Sequence, residues 1–225
     1  MTIWRELFGG QRSGLERVRE QLLDMLTIDR KTFDVACRPL LGDKDPVKAR
    51  REASASDQQV NELVQEVRRH LVIHASARGD MGDMPALLLY MSIVKDIERI
   101  GDYAKNILDI ASAGGAFAET DDDYEELAGY RDRTSALIEE VRAVFAAQDA
   151  AAATRLLTEW GGVSRELDQR VDMLVVTDQP GSAAVPRALY YRYLKRIIGH
   201  LLNILTALVM PLDKLDFFWQ EDQDS

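Results

Sequence analysis

The chain has 225 residues, with 38 acidic against 28 basic side chains and a formal net charge of −10. That balance argues against a general nucleic-acid binder, because counterion release from a phosphate backbone needs clustered Lys and Arg; a cationic partner surface suits it better. The single cysteine, Cys37, allows no intramolecular disulfide and no metal site built from thiolates alone, and reads as a small packing residue.

The opening stretch MTIWRELFGGQRSG lacks the basic start, apolar middle and small-residue cleavage site of a signal peptide. Its Trp4, Leu7 and Phe8 read as a staple that packs back on the body, with a small docking arm as the alternative. Four turn signals follow: GDKDP (42–46), ARGDMGDMP (77–85), ASAGGAFAETDDD (111–123) and TDQPGSAAVP (177–186). They separate helical patterns over 13–40, 46–77, 85–113, 123–148, 150–176 and 185–215, with a weak interruption at Gly161 and Gly162. No alternating Val/Ile/Thr-rich run argues for a strand, so the expected class is all-α. The longest apolar stretch, LLNILTALVMPL (201–212), carries Asn203 and Thr206 and falls well below the roughly 20 residues of a membrane span. A soluble cytoplasmic protein is expected.

In the second pattern His70 and His74 lie one helical turn apart, a spacing that transition metals use. No Glu-x-x-His or H-E-x-x-H accompanies them, which disfavours a histidine metal site. The third pattern carries a heptad seam of Tyr90, Val94, Ile97, Gly101, Ala104, Leu108 and Ala111. Gly101 costs about 1 kcal/mol of helix propensity relative to Ala, which a close helix–helix approach would offset. The last pattern concentrates Arg187, Arg192, Lys195 and Arg196, either a solvated face or a patch for an acidic transporter domain or anionic lipid heads.

The two halves are related. ASDQQVNELVQEV (55–67) precedes DIERIGDYAKNI (96–107), and ELDQRVDMLVV (166–176) precedes YLKRIIGHLLNI (193–204). A repeat of about 100 residues divides the chain into 1–115 and 116–225. His200 then stands where the first repeat has Tyr103, and packing or a polar contact is its expected role.

On the third helix, 100° per residue puts Glu98, Asp102 and Asp109 on one stripe at the rim of the apolar arc, with Lys105 among them. The midpoint between Asp57 and Asp102 falls at 79.5, inside the ARGDMGDMP turn, so an antiparallel hairpin brings Asp57, Glu98 and Asp102 together. Asp168 and Asp172 meet Lys195 and Gly199 in the same way around 183.5. Converging carboxylates are relieved by protonation or by a hard cation with oxygen ligands. Spacing alone favours the blander reading, a solvated face with Arg99 and Lys105 as intrahelical partners.

KDIERIGDYAKNI (95–107), preceded by ALLLYMSIV (86–94), resembles the signature helix of the PhoU family, and SDQQVNELVQEV (56–67) resembles the helix that family places before it. The resemblance implies two tandem antiparallel three-helix bundles and a regulator of phosphate transport and phosphate-starvation signalling, not an enzyme. It also implies partners: a phosphate transporter component, a sensor histidine kinase, or both. Nucleic acid is excluded, the membrane is reached only through partners, and a homodimer is among the assemblies allowed. An accessory subunit of a separate phosphate or other anion permease, with no part in transcription, is the alternative.

The family's E/D-x-x-x-D motif is associated with metal ions. Glu98 and Asp102 match it fully, Asp168 and Asp172 match its earlier-helix form, and Asp57 matches only its first position because Asn61 replaces the second acid. These five are the metal candidates, for Mg, Mn, Ca, Fe or Zn. Lys195 and Gly199 stand where the second signature helix would carry acids, so a Lys195 salt bridge is expected there in place of a metal.

Overall fold

The computed structural model describes residues 13–42, 45–78 and 81–216; the Trp4–Phe8 staple lies outside them. Six α-helices run through the described residues: α1 (Ser13–Cys37), α2 (Pro46–Arg78), α3 (Met84–Ser112), α4 (Tyr124–Ala147), α5 (Ala150–Val175) and α6 (Gly181–Val209). Short 3₁₀ turns occupy Arg38–Leu40, Met81–Asp83 and Leu212–Lys214, and no strand occurs among the described residues.

The boundaries follow local chemistry. Asp45 accepts the backbone N–H of Lys48 through Oδ1 at 2.8 Å, and Pro46 follows it in the first turn of α2, where a missing N–H costs nothing. Asp149 caps α5, its Oδ1 accepting from the N–H groups of Ala151 and Ala152 at 3.0 Å each. Gln148, in the left-handed conformation (φ 54°), ends α4 immediately before.

Three expectations change. Helix α5 runs unbroken through Gly161 and Gly162, with Leu156, Leu157, Trp160 and Val163 buried around them; packing of that face outweighs the propensity cost of two glycines. Helix α6 starts at Gly181, four residues before the expected start, and takes in Pro186. The carbonyl that Pro186 fails to bond is that of exposed Ser182, open to water in the first turn. The same helix stops at Val209, ahead of Pro211, not at 215.

Helices α1, α2 and α3 pack on one another, and α6 packs along α5 and α4 in the second half. Pairing of α3 with α6 and of α1 with α4 joins the halves around one continuous core. The α3 seam is as expected, with Tyr90, Val94, Ile97, Gly101, Ala104 and Leu108 buried and Ala111 partly so. Cys37 is buried in that core, where burial pushes its thiol pKa up.

Candidate functional site

The α2–α3 hairpin brings Asp57 and Asp102 to one height, and the side chain between them is Lys105. Its Nζ donates to Asp57 Oδ1 at 2.5 Å and stands 3.2 Å from Asp102 Oδ1. Asn61 donates to the other Asp57 oxygen at 3.3 Å, and Arg99 to Asp102 Oδ2 at 3.3 Å. Burial works against the Lys105 charge, but its hydrogen bonds to the two carboxylates outweigh that and hold its pKa above the ordinary lysine value. Glu98 turns instead to Arg68 of α2 and Lys95 of its own helix, each at 3.3 Å. The convergence therefore joins Asp57 with Asp102, each matched by a basic group.

The sequence reading missed Asp29 of α1. It is wholly enclosed, with 0% exposure, and neither carboxylate oxygen has a hydrogen-bond partner. Burial first, then the charges of Asp102 and Asp57, push its pKa well above the usual carboxylate range, with Lys105 opposing them. Its Oδ1 lies against α3 at Gly101, only 2.7 Å from where a β-carbon at that position would stand. The legible signal was an acid within the apolar stripe of Leu22, Met25, Leu26, Phe33 and Ala36.

In the second half Lys195 bonds Asp168 across the α5–α6 hairpin, the expected exchange of an acid for a base. Asp172 is exposed one turn further on, and a β-carbon on Gly199 would meet nothing within 4 Å. The four basic residues of α6 do not make one free patch. Arg187 is clamped by Asp121 and Asp123 at 2.7 Å each, Arg196 donates to Tyr103 Oη at 3.1 Å, and Lys195 is taken by Asp168. The histidines are likewise engaged: His70 Nδ1 faces Gln21 Oε1 at 2.9 Å, His74 Nε2 faces Asp83 Oδ2 at 2.8 Å, and His200 Nδ1 faces Asp96 Oδ1 at 2.8 Å.

Among the described residues no three His, Cys, Asp or Glu side chains are placed to hold a metal ion as they lie. An ammonium stands between Asp57 and Asp102, so a metal would enter by displacing it. The donors nevertheless suit a hard cation, since all are carboxylate oxygens and the enclosed Asp29 pair is orphaned beside them.

Residues 22–111 match the family model described as the PhoU domain. The crystal structure of PhoU from Pseudomonas aeruginosa is similar with a TM-score of 0.75 at 23% identity, over 89% of this chain and 97% of that one. That of the phosphate transport system regulatory protein PhoU from Streptococcus pneumoniae is similar with a TM-score of 0.71 at 17% identity, over 88% and 94%. No curated protein matches the chain at a significant level. Residues 22–111 thus match the PhoU domain model, in a molecule that has the all-helical PhoU fold over nearly nine-tenths of its length.

Proposed function

We propose that this chain is a cytoplasmic regulator of phosphate transport and phosphate-starvation signalling that works by protein–protein contact, with no bond-breaking chemistry of its own. The observation that carries the reading is the PhoU domain over residues 22–111, which contains the KDIERIGDYAKNI helix. Its partners are a phosphate transporter component, a sensor histidine kinase, or both. Support for contact as the mode of action comes from large apolar side chains exposed near both hairpin ends. Val72, Ile73, Leu88 and Met91 flank the α2–α3 turn, and Met173, Val175, Val176, Val185 and Leu189 flank the α5–α6 turn. No helix among the described residues is long and apolar enough to cross a membrane, so contact with a membrane-bound transporter runs through such surfaces.

The second part of the proposal is a divalent cation held by Asp57 and Asp102, with Glu98 at the rim, while in the second half Asp168 has exchanged that role for the Lys195 salt bridge and Asp172 stands exposed beside it. Such a cation supplies positive charge that offsets the acidic face and fixes the charge shown to a partner. Lys105 holds the place when the cation is absent.

Pull-down of the native protein from cells grown with and without phosphate tests the function. A transporter component or kinase captured in a phosphate-dependent way is the expected result. Persistent capture of a separate permease would favour the accessory-subunit reading, and an unrelated persistent partner would overturn both. Metal analysis checks the cation: Asp102→Asn should lose most of the bound metal and Asp168→Asn little, and the reverse order would sink the assignment.

A further inference from the structure

Helix α6 turns one stripe outward. Val185, Leu189, Arg192, Arg196, Gly199 and Asn203 recur at alternating spacings of four and three, which sets them on one face. Val185, Leu189, Arg192 and Arg196 are exposed, and a β-carbon on Gly199 would meet open space. The helix carries no acid anywhere along 181–209. Of its arginines and lysine, Arg187 and Lys195 have carboxylate partners and the other two do not. Arg192 makes no hydrogen bond or ion pair among the described residues. Arg196 has the neutral Tyr103: its Nε donates to Tyr103 Oη at 3.1 Å, and its guanidinium lies 5.5 Å from the centre of that ring. Beside the two arginines Tyr103, Tyr193 and His200 form a half-buried aromatic step in ring contact. Arginine next to tyrosine is the composition of interface anchors.

At Asp216 the chain stands beside this stripe. After α6 it turns back through 212–214, Leu215 packs against the core, and the Asp216 N–H donates to Thr206 Oγ1 at 3.3 Å. Thr206 is three residues beyond Asn203, so the chain reaches the Asn203 end of the stripe. Residues 217–225 read FFWQEDQDS: three aromatics, then Glu221, Asp222 and Asp224, with no base. That is the complement of the stripe in the same order, aromatic rings first and then charge. Measured back from Thr206 along α6, Arg196 and Arg192 lie at about 15 and 21 Å. Measured along extended chain from Asp216, residues 222 and 224 reach about 20 and 27 Å.

We infer that residues 217–225 dock in cis along this stripe, with Trp219 and the two phenylalanines before it against Tyr103, Tyr193 and His200, and with Glu221, Asp222 and Asp224 on Arg196 and Arg192. Exposed ion pairs are weak singly and aromatic contacts add to them. The covalent link supplies a high effective concentration, so docking needs no tight site. The chain thereby covers its own basic stripe. An acidic segment of another protein reaches Arg192 and Arg196 only by displacing it.

Acrylamide quenching of Trp219 tests this in the full chain carrying Trp4→Phe, where Trp160, only 5% exposed, contributes little quenching. Trp219 should be quenched about twofold more slowly than in a synthetic peptide of residues 216–225, as its ring is shielded in the docked state. Arg192→Glu together with Arg196→Glu should raise the quenching toward that of the peptide. Adding Glu221→Lys, Asp222→Lys and Asp224→Lys should restore the protection, which a merely loosened variant would not do. Quenching as fast as in the peptide before any arginine is changed, or quenching untouched by the arginine substitutions, would overturn the docking. Failure of the reversed charges to restore protection would overturn the pairing of these acids with these arginines. Protection that falls away on dilution would place the segment on a second copy and overturn docking in cis.

Discussion

Gly101 and Asp29 fit as a pair, because the carboxylate occupies the volume a side chain at 101 would need. Close helix packing, the expected reason for a glycine on the α3 seam, is only part of the account. An alanine there would gain about 1 kcal/mol of helix propensity, yet its β-carbon would stand 2.7 Å from Asp29 Oδ1 in a place with no room to yield. Overpacking of that kind costs roughly 1–3 kcal/mol, so Gly101→Ala should lower the unfolding free energy in urea titrations despite its better propensity. In an Asp29→Ala background the same change should be neutral or stabilising, since the obstacle is gone. An equal cost in both backgrounds would place the constraint elsewhere. The glycine was read from the sequence; Asp29 showed there only as an acid within the apolar stripe of α1, and no periodicity in either helix says which α3 residue it meets.

The segment between α3 and α4 shows what an element can hide. ASAGGAFAETDDD reads as an acidic spacer, and its charges and glycines are indeed turn-forming; Gly114, at φ +93°, is one position that needs a glycine. Yet the segment is strapped to the body. Phe117 is buried, its N–H donates to the Leu40 carbonyl at 2.8 Å, and its ring meets Tyr190 edge-on at 5.3 Å. Arg187 lies over the same ring and bonds Asp121 and Asp123, its side chain only 11% exposed. Truncating it would leave two carboxylates without their base, so Arg187→Ala should cost about 2–3 kcal/mol in urea unfolding. The Asp121 pKa is lowered, first by the Ala118 N–H and then by Arg187. The unfolded chain therefore binds more protons at this site below about pH 4, and the contribution is lost as pH falls through the folded value. Stability against pH should accordingly fall less steeply below pH 4 in Asp121→Asn than in the wild type; an unchanged acid limb would count against the strap. A lone aromatic in a polar linker was the sequence signal for this contact.

At the scale of the molecule, the contacts between α3 and α6 repeat the relation between the two sequence halves. With 96–107 set against 193–204, Asp96 corresponds to Tyr193 and Tyr103 to His200. Asp96 pairs with His200, and the exchanged pair, Tyr193 with Tyr103, is also in contact, with ring centroids 6.1 Å apart. Tyr103 and His200, equivalent to each other, stack at 5.7 Å as two positions on a local two-fold axis would. The helices and the α3 seam were legible because period and turn chemistry are local; the joining of the halves rests on side chains about 100 residues apart and was not.

That joining predicts how the molecule unfolds. Packing of α3 on α6 and of α1 on α4 gives both halves one apolar core, and Asp96, itself buried, takes hydrogen bonds from the Asn203 and His200 side of the seam. Exposing either half alone would uncover that seam, so the halves should melt together. Trp160 lies buried in α5 and reports on the second half. In a variant with Trp4 and Trp219 changed to Phe, its fluorescence and the far-UV circular dichroism should follow one urea transition. Adding Gly101→Ala, a lesion in the first half, should move the Trp160 midpoint by the same amount as the circular dichroism midpoint. A Trp160 midpoint that stays in place while the circular dichroism splits into two steps would mean that the seam is too weak to couple the halves.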